Sequence, residues 1–120
     1  MARLANVNLA VSDPARSLAF YRAALGLRET PRSAPPGFIQ LWADDAGTLT
    51  LSLQQRQASR AEARPGGCEL GFEVEDLDAA RAALQAAGAT DLVAQRMGWG
   101  EAIDARDPDG HALTLYRLRR

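Results

Sequence analysis

The sequence predicts an α+β fold: two βαβββ modules in pseudo-two-fold repeat, with mixed sheets curled around a cavity. Three observations predict it. Asn6-Val-Asn-Leu-Ala-Val-Ser-Asp13 and Glu69-Leu-Gly-Phe-Glu-Val-Glu-Asp76 match at one constant offset, so that Val7, Leu9, Val11 and Asp13 align with Leu70, Phe72, Val74 and Asp76. Each copy is followed by an alanine-rich run that stops at a glycine, Gly26 in one and Gly88 in the other. Each half then continues in short alternating segments with turn residues between them. Such a repeat points to one unit used twice, with a site where the copies meet. A chain of 120 residues suits one domain. It divides into module one at 1–55, a linker at 56–67 and module two at 68–120.

Residues 5–11 alternate, with Val7, Leu9 and Val11 apolar and Asn6, Asn8 and Ala10 between them, which reads as a strand with two different faces. Asp13 before Pro14 is an N-cap followed by the residue favoured at the first helical position. Leu18, Tyr21 and Leu25 recur at helical spacing, and Gly26 suits a C-cap, so a helix is expected over 14–25. Pro31, Pro35, Pro36 and Gly37 mark 30–37 as loop. Strands are expected at 38–43 and 48–53 around the turn Asp44-Asp-Ala-Gly47. In the second of these, Leu49, Leu51 and Leu53 point one way and Thr48, Thr50 and Ser52 the other.

The second copy starts at Cys68, with Leu70, Phe72 and Val74 alternating against Glu69, Gly71 and Glu73. Asp76 caps a helix expected over 77–87, ended by Gly88. Strands follow near 92–95, at 101–106 and at 112–118, the last two joined by the tight turn Asp107-Pro-Asp-Gly110.

Composition narrows the function classes. The chain is 47% hydrophobic, enough for a core and against disorder. Its formal net charge of −1 gives no basic patch for nucleic acid. All basic residues are arginine, scattered along the chain and closing in a short cluster at Arg117, Arg119 and Arg120 that reads as a solvated tail. The single cysteine, Cys68, allows no intrachain disulfide, which fits a reducing compartment; it is expected to be buried or half-buried at a strand start. No stretch approaches membrane-spanning length. A soluble cytoplasmic protein without membrane or nucleic-acid partners is expected.

Val11-Ser-Asp-Pro-Ala-Arg-Ser-Leu-Ala-Phe-Tyr21 with Leu25-Gly26-Leu27, together with Trp99-Gly100 and Asp107-Pro-Asp-Gly110, resembles the vicinal oxygen chelate superfamily of glyoxalases, extradiol dioxygenases and bleomycin resistance proteins. The resemblance spans almost the whole chain. It implies a homodimer and, in the enzymes, a divalent metal held from the first and last strands of each module. Carried over residue by residue, the metal-ligand positions here hold Asn6, Thr50 (or Leu51 in the neighbouring register), Glu69 and Thr114. Neutral amides and hydroxyls with one carboxylate make a poor metal site, so no metal and no cofactor is expected. The single histidine, His111, follows the tight turn and is expected to be exposed to solvent.

The remaining polar and aromatic positions suggest a binding face. Glu69 and Glu73 share one strand face and favour a cationic or hydrogen-bond-donating ligand. Trp42 and Trp99 favour a planar one. Phe38 and Gln40 share the face of Trp42, Asn8 that of Asn6, and Tyr116 that of Thr114. The expected function is a metal-free small-molecule binding protein of the bleomycin-resistance kind. The alternatives are a metal-dependent lyase, isomerase or dioxygenase of the same superfamily, and a regulatory dimer with a vestigial cavity.

Overall fold

Two four-stranded mixed sheets, each covered by one helix, make up the computed structural model, which describes residues 3–31, 35–56 and 68–119. Module one contributes β1 (Asn6–Val11), α1 (Pro14–Leu25), β2 (Arg28–Glu29), β3 (Phe38–Trp42) and β4 (Thr50–Gln55). Module two contributes β5 (Glu69–Glu73), α2 (Leu77–Ala86), β6 (Thr90–Met97), β7 (Gly100–Arg106) and β8 (Ala112–Leu118). The strand orders β1-β4-β3-β2 and β5-β8-β7-β6 are the same pattern used twice. In each module the first strand runs parallel to the last, and the others pair antiparallel. The expected linker at 56–67 lies outside the described residues, apart from Arg56.

Local chemistry sets the helix ends. Asp13, in extended conformation, accepts from the backbone N–H groups of Ala15 and Arg16 at 3.1 and 3.3 Å, and Pro14 opens α1. Gly26 closes it at φ 69, a left-handed angle that glycine adopts without cost. Asp76 caps α2 by accepting from Ala79 N–H at 3.0 Å. The apolar halves of the strands then meet the helices. Val11, Leu41, Leu51, Leu53, Leu113 and Leu115 are fully buried with Tyr21 of α1 and Leu84 of α2. One continuous core therefore crosses both modules, and α1 and α2 also touch each other.

Most element ends fall within a residue or two of the sequence reading, and the differences with a local cause are at β4, β6 and β2. β4 starts at Thr50 and not at residue 48, because the Asp44 carboxylate takes the N–H groups of Thr48 and Leu49 and holds them in the turn. β6 runs from Thr90 to Met97, longer than the segment near 92–95; Asp91, at φ 56, interrupts its alternation. β2 is a two-residue strand just before the expected loop, too short to leave a periodic signal.

Two side chains also depart from expectation. Cys68 is exposed, since it precedes the first paired residue of β5 and no strand covers it. His111 is buried at 9% exposure, and its Nε2 lies 2.9 Å from the Ala10 carbonyl oxygen in the other module. The turn that carries His111 is docked against module one and does not face solvent.

That docking is a cluster of hydrogen bonds. The Asp107 carboxylate accepts from the Tyr21 hydroxyl at 2.7 Å, and also from the backbone N–H groups of Asp109 and His111. The Asp109 carboxylate accepts from Ser12 N–H at 2.9 Å and the Ser17 hydroxyl at 3.3 Å, with the Arg16 and Arg56 guanidinium groups at 3.8 and 3.5 Å. Burial, reinforced by the charge of Asp107, pushes the Tyr21 phenol well above its usual pKa. Burial works against charge on Asp109, but the Ser12 backbone and hydroxyl, the Arg16 guanidinium and the Ser17 hydroxyl together hold its carboxyl below the usual range.

Replacing Tyr21 by phenylalanine keeps the ring and removes the hydroxyl donor from a buried carboxylate. It should cost about 1–3 kcal/mol of stability, measured by urea unfolding; an unchanged midpoint would contradict the role given to this bond. Asp109 binds a proton more weakly folded than unfolded. Its contribution is complete above the usual aspartate pKa of 3.8 and is lost as pH falls through the lower folded value. Urea midpoints of wild type and Asp109→Asn should therefore converge as the buffer is taken from pH 6 to pH values below about 4, and a constant gap would show that the charge is not what holds the turn.

Candidate functional site

The faces of the two sheets turned away from the helices carry most of the candidate residues, and pairing register sets their arrangement. In module one the rows are Asn6–Thr50–Trp42, Asn8–Ser52–Gln40 and Ala10–Gln54–Phe38. Residues on one row share a face, so Phe38, Trp42 and Thr50 lie on the face of Asn6 and Asn8. The Asn6 Oδ1 accepts from the hydroxyls of Thr50 and Ser52 at 2.6 and 2.9 Å, while its Nδ2 donates to Asn8 Oδ1 at 2.9 Å. Gln40 Nε2 reaches both hydroxyls at 3.5 Å, and Thr30 donates to Gln40 Oε1 at 3.4 Å. This face is a closed network of neutral groups. The sequence reading placed Ser52 on the face of Thr50 and Gln40 on that of Trp42, but it missed Thr30 and the bonds that join Gln40 and Ser52 to Asn6 and Thr50, which only strand pairing brings together.

Module two repeats the geometry with different chemistry. Its rows are Glu69–Ala112–Arg106, Gly71–Thr114–Asp104 and Glu73–Tyr116–Ala102. Glu69 and Glu73 do share a face and are exposed. Thr114 stands opposite Gly71, so it does not adjoin Glu69 as Thr50 adjoins Asn6; the residue paired with Glu69 is Ala112. Asp104, which no sequence signal singled out, accepts from the Thr114 hydroxyl at 2.8 Å and from the Gln95 amide.

Trp99 sits at the tip of the β6–β7 hairpin and meets Tyr116 edge to face, with ring centroids 6.0 Å apart. Gly100 makes this possible: a Cβ there would lie 2.1 Å from the Arg117 carbonyl oxygen, so only glycine lets the hairpin close onto β8. The Trp99 carbonyl then accepts from Arg119 N–H at 2.8 Å. Trp99 itself remains 45% exposed.

The modules meet in a groove of about 410 Å3. Trp42, Asp44 and Asp45 line it from the β3–β4 side, Leu25 to Arg28 from the end of α1, and Gly71 to Val74 from β5. It brings Trp42 and Glu73 to one place. Glu73 also borders a second, open groove with Glu75, Arg117 and Leu118. Neither groove is lined by Asn6, Thr50, Glu69 or Thr114.

The donor set does not fit the divalent metal that the enzymes of the resembled superfamily hold. The Asn6 oxygen is already taken by two hydroxyls, Glu69 faces an alanine, and Thr114 spends its proton on Asp104. Among the described residues no three His, Cys, Asp or Glu side chains converge. His111, which could supply imidazole, is committed to the Ala10 carbonyl between the modules.

No helix is long and apolar enough to cross a membrane among the described residues. No curated protein matches the chain. Among solved structures, a protein of Agrobacterium tumefaciens is 31% identical over the full length of both chains, with a TM-score of 0.80. A glyoxalase/bleomycin resistance protein/dioxygenase family enzyme of Burkholderia phytofirmans is 22% identical, covering 98% of this chain and 100% of its own, with a TM-score of 0.81. TnmS3, an antibiotic binding protein of a Streptomyces species, is 22% identical, covering 99% of this chain and 98% of its own, with a TM-score of 0.77. At 22% identity these last two likenesses speak to the fold. The model of the glyoxalase-like domain matches residues 6–116, and the chain therefore belongs to the glyoxalase-like domain family.

Proposed function

We propose that the chain is a metal-free small-molecule binding protein of the glyoxalase/bleomycin resistance type, which holds a planar or cationic ligand and does not transform it. The observation that carries this reading is the groove between the modules. Its volume of about 410 Å3 falls within the range of small-molecule pockets. Its lining joins an indole, Trp42, to the carboxylates of Asp44, Asp45 and Glu73 against one guanidinium, Arg28, a net negative lining that suits a flat ring with a positive charge. The structurally similar TnmS3 is described as antibiotic binding, which supports the same class of function here. The reading places the protein in the cytoplasm, where an exposed free thiol such as Cys68 persists. It also includes a homodimer, since Leu4, Val93 and Leu118 leave apolar surface that a second copy would cover.

Titration with 9-aminoacridine, a planar monocation near neutral pH, tests the reading, with metal content measured on the same protein sample. The indole fluorescence should be quenched saturably, and Trp42→Ala should weaken binding by about 1–3 kcal/mol. The protein should bind with well under one transition metal per chain. Absence of saturable binding, or a Trp42 variant that loses stability with no change in affinity, would contradict it. So would stoichiometric metal accompanied by lyase or dioxygenase turnover.

A further inference from the structure

The groove between the modules carries both signs of charge. Asp44 and Asp45 line it from the β3–β4 turn and Glu73 from β5, while Arg28 lines it from the segment that follows α1. Strand pairing fixes the place of Arg28. In β2 it stands opposite Trp42 of β3, and Glu29 stands opposite Leu41. Directly paired residues share a face, so the Arg28 side chain and the indole are neighbours on the groove side. Glu29 projects to the other face, and its carboxylate meets the Arg22 guanidinium at 3.4 Å.

Arg28 is thereby left without an acid of its own. Among the described residues no carboxylate pairs with it, although three line the same groove. Asp44 is tied into its own turn by the N–H groups of Thr48 and Leu49. Asp45 is exposed and enters no ion pair among the described residues. Opposite charges that share a groove without joining offer a ligand two separate handles. A simple anion would meet three carboxylates, and a simple cation would be repelled by the guanidinium. A ligand with both signs answers both. We infer that the groove selects a zwitterion, a planar cation that also carries an acidic group, and that Arg28 is the specificity residue that pairs with this acid.

The parts suit such a ligand. Opposed residues on neighbouring strands have Cβ atoms about 5 Å apart, so a ring laid on the Trp42 indole presents its edge to Arg28. The planar guanidinium grips a carboxylate through two parallel N–H bonds, which a lone point charge does not. The cationic half is favoured by the acidic side chains and by the end of α1, where Leu25 and Gly26 line the groove and the helix carries partial negative charge.

This inference rests on the small-molecule reading above, and its test separates the two. 9-Aminoacridine-3-carboxylic acid and its 3-carboxamide share one cationic ring system and nearly one shape, but near pH 7.5 only the first is a zwitterion. Calorimetric titration of wild type should favour the acid by about fivefold or more, the scale of a partly exposed arginine–carboxylate pair. Arg28→Gln removes the charge and should bring that preference to unity or below, because the remaining lining repels the acid, while affinity for the carboxamide holds or rises. Arg28→Lys keeps the charge and should keep a preference for the acid. If both probes bind wild type without preference, or if the preference survives in Arg28→Gln, Arg28 does not select the ligand, although the binding reading stands. A lysine variant that behaves like the glutamine one would also overturn the inference, since charge would not be what Arg28 supplies. If neither probe binds wild type, the binding reading fails and this inference fails with it.

Discussion

The structure depends on how module two is fastened to module one. The fastening is the turn Asp107-Pro-Asp-Gly-His111, which inserts two carboxylates and an imidazole into the β1–α1 corner of the other module. The two modules share one core: Leu9, Val11 and Tyr21 are buried in one cluster with Leu77, Leu113 and Leu115. The carboxylates give that shared core a fixed geometry. Each is bonded in two or more directions, so sliding one module against the other would break several charge-assisted bonds at once. With the modules fixed, the edge of β5 stands opposite the end of α1 and the β3–β4 turn, and the groove lined by Trp42 and Glu73 exists. The functional reading therefore rests on a structural clamp some way from the groove.

The repeat preserved the backbone and let the two helix-free faces diverge. Module one kept polar side chains and used them on one another: Asn6 takes two hydroxyls and passes a hydrogen bond to Asn8. Asn6 and Asn8 stay exposed at the edge of this network. Module two carries Gly71 and Ala112 at the matching positions, with the Tyr116 ring packed over Gly71, and a carboxylate, Asp104, in place of the Gln40 amide.

Much of the fold was legible because two independent signals agreed in each copy. Alternation marked β1 and β5, while Asp13 and Asp76 marked the helix starts and Gly26 and Gly88 their ends. The shared faces of Glu69 with Glu73, of Phe38 with Trp42, and of Thr50 with Ser52 were also legible, because side-chain alternation is a local property of a strand. What pairs across strands was not. The bond between Asp104 and Thr114, the place of Gln40 beside Ser52, and the pairing of Thr114 with Gly71 all depend on register, which one strand's sequence does not contain. His111 was misjudged for the same reason: a residue after a tight turn is usually exposed, but this turn is itself an interface. The histidine next to two aspartates in Asp107-Pro-Asp-Gly-His111 was the available hint.

The central proposal is that the groove between the modules receives the ligand. Backbone amide chemical shifts followed by NMR during addition of 9-aminoacridine test it most directly. The account predicts that the largest shifts fall on the residues that line the groove, Leu25 to Arg28, Trp42 to Asp45 and Gly71 to Val74. Shifts centred on the outer surface of α2 or on β6, with the groove residues unmoved, would contradict it.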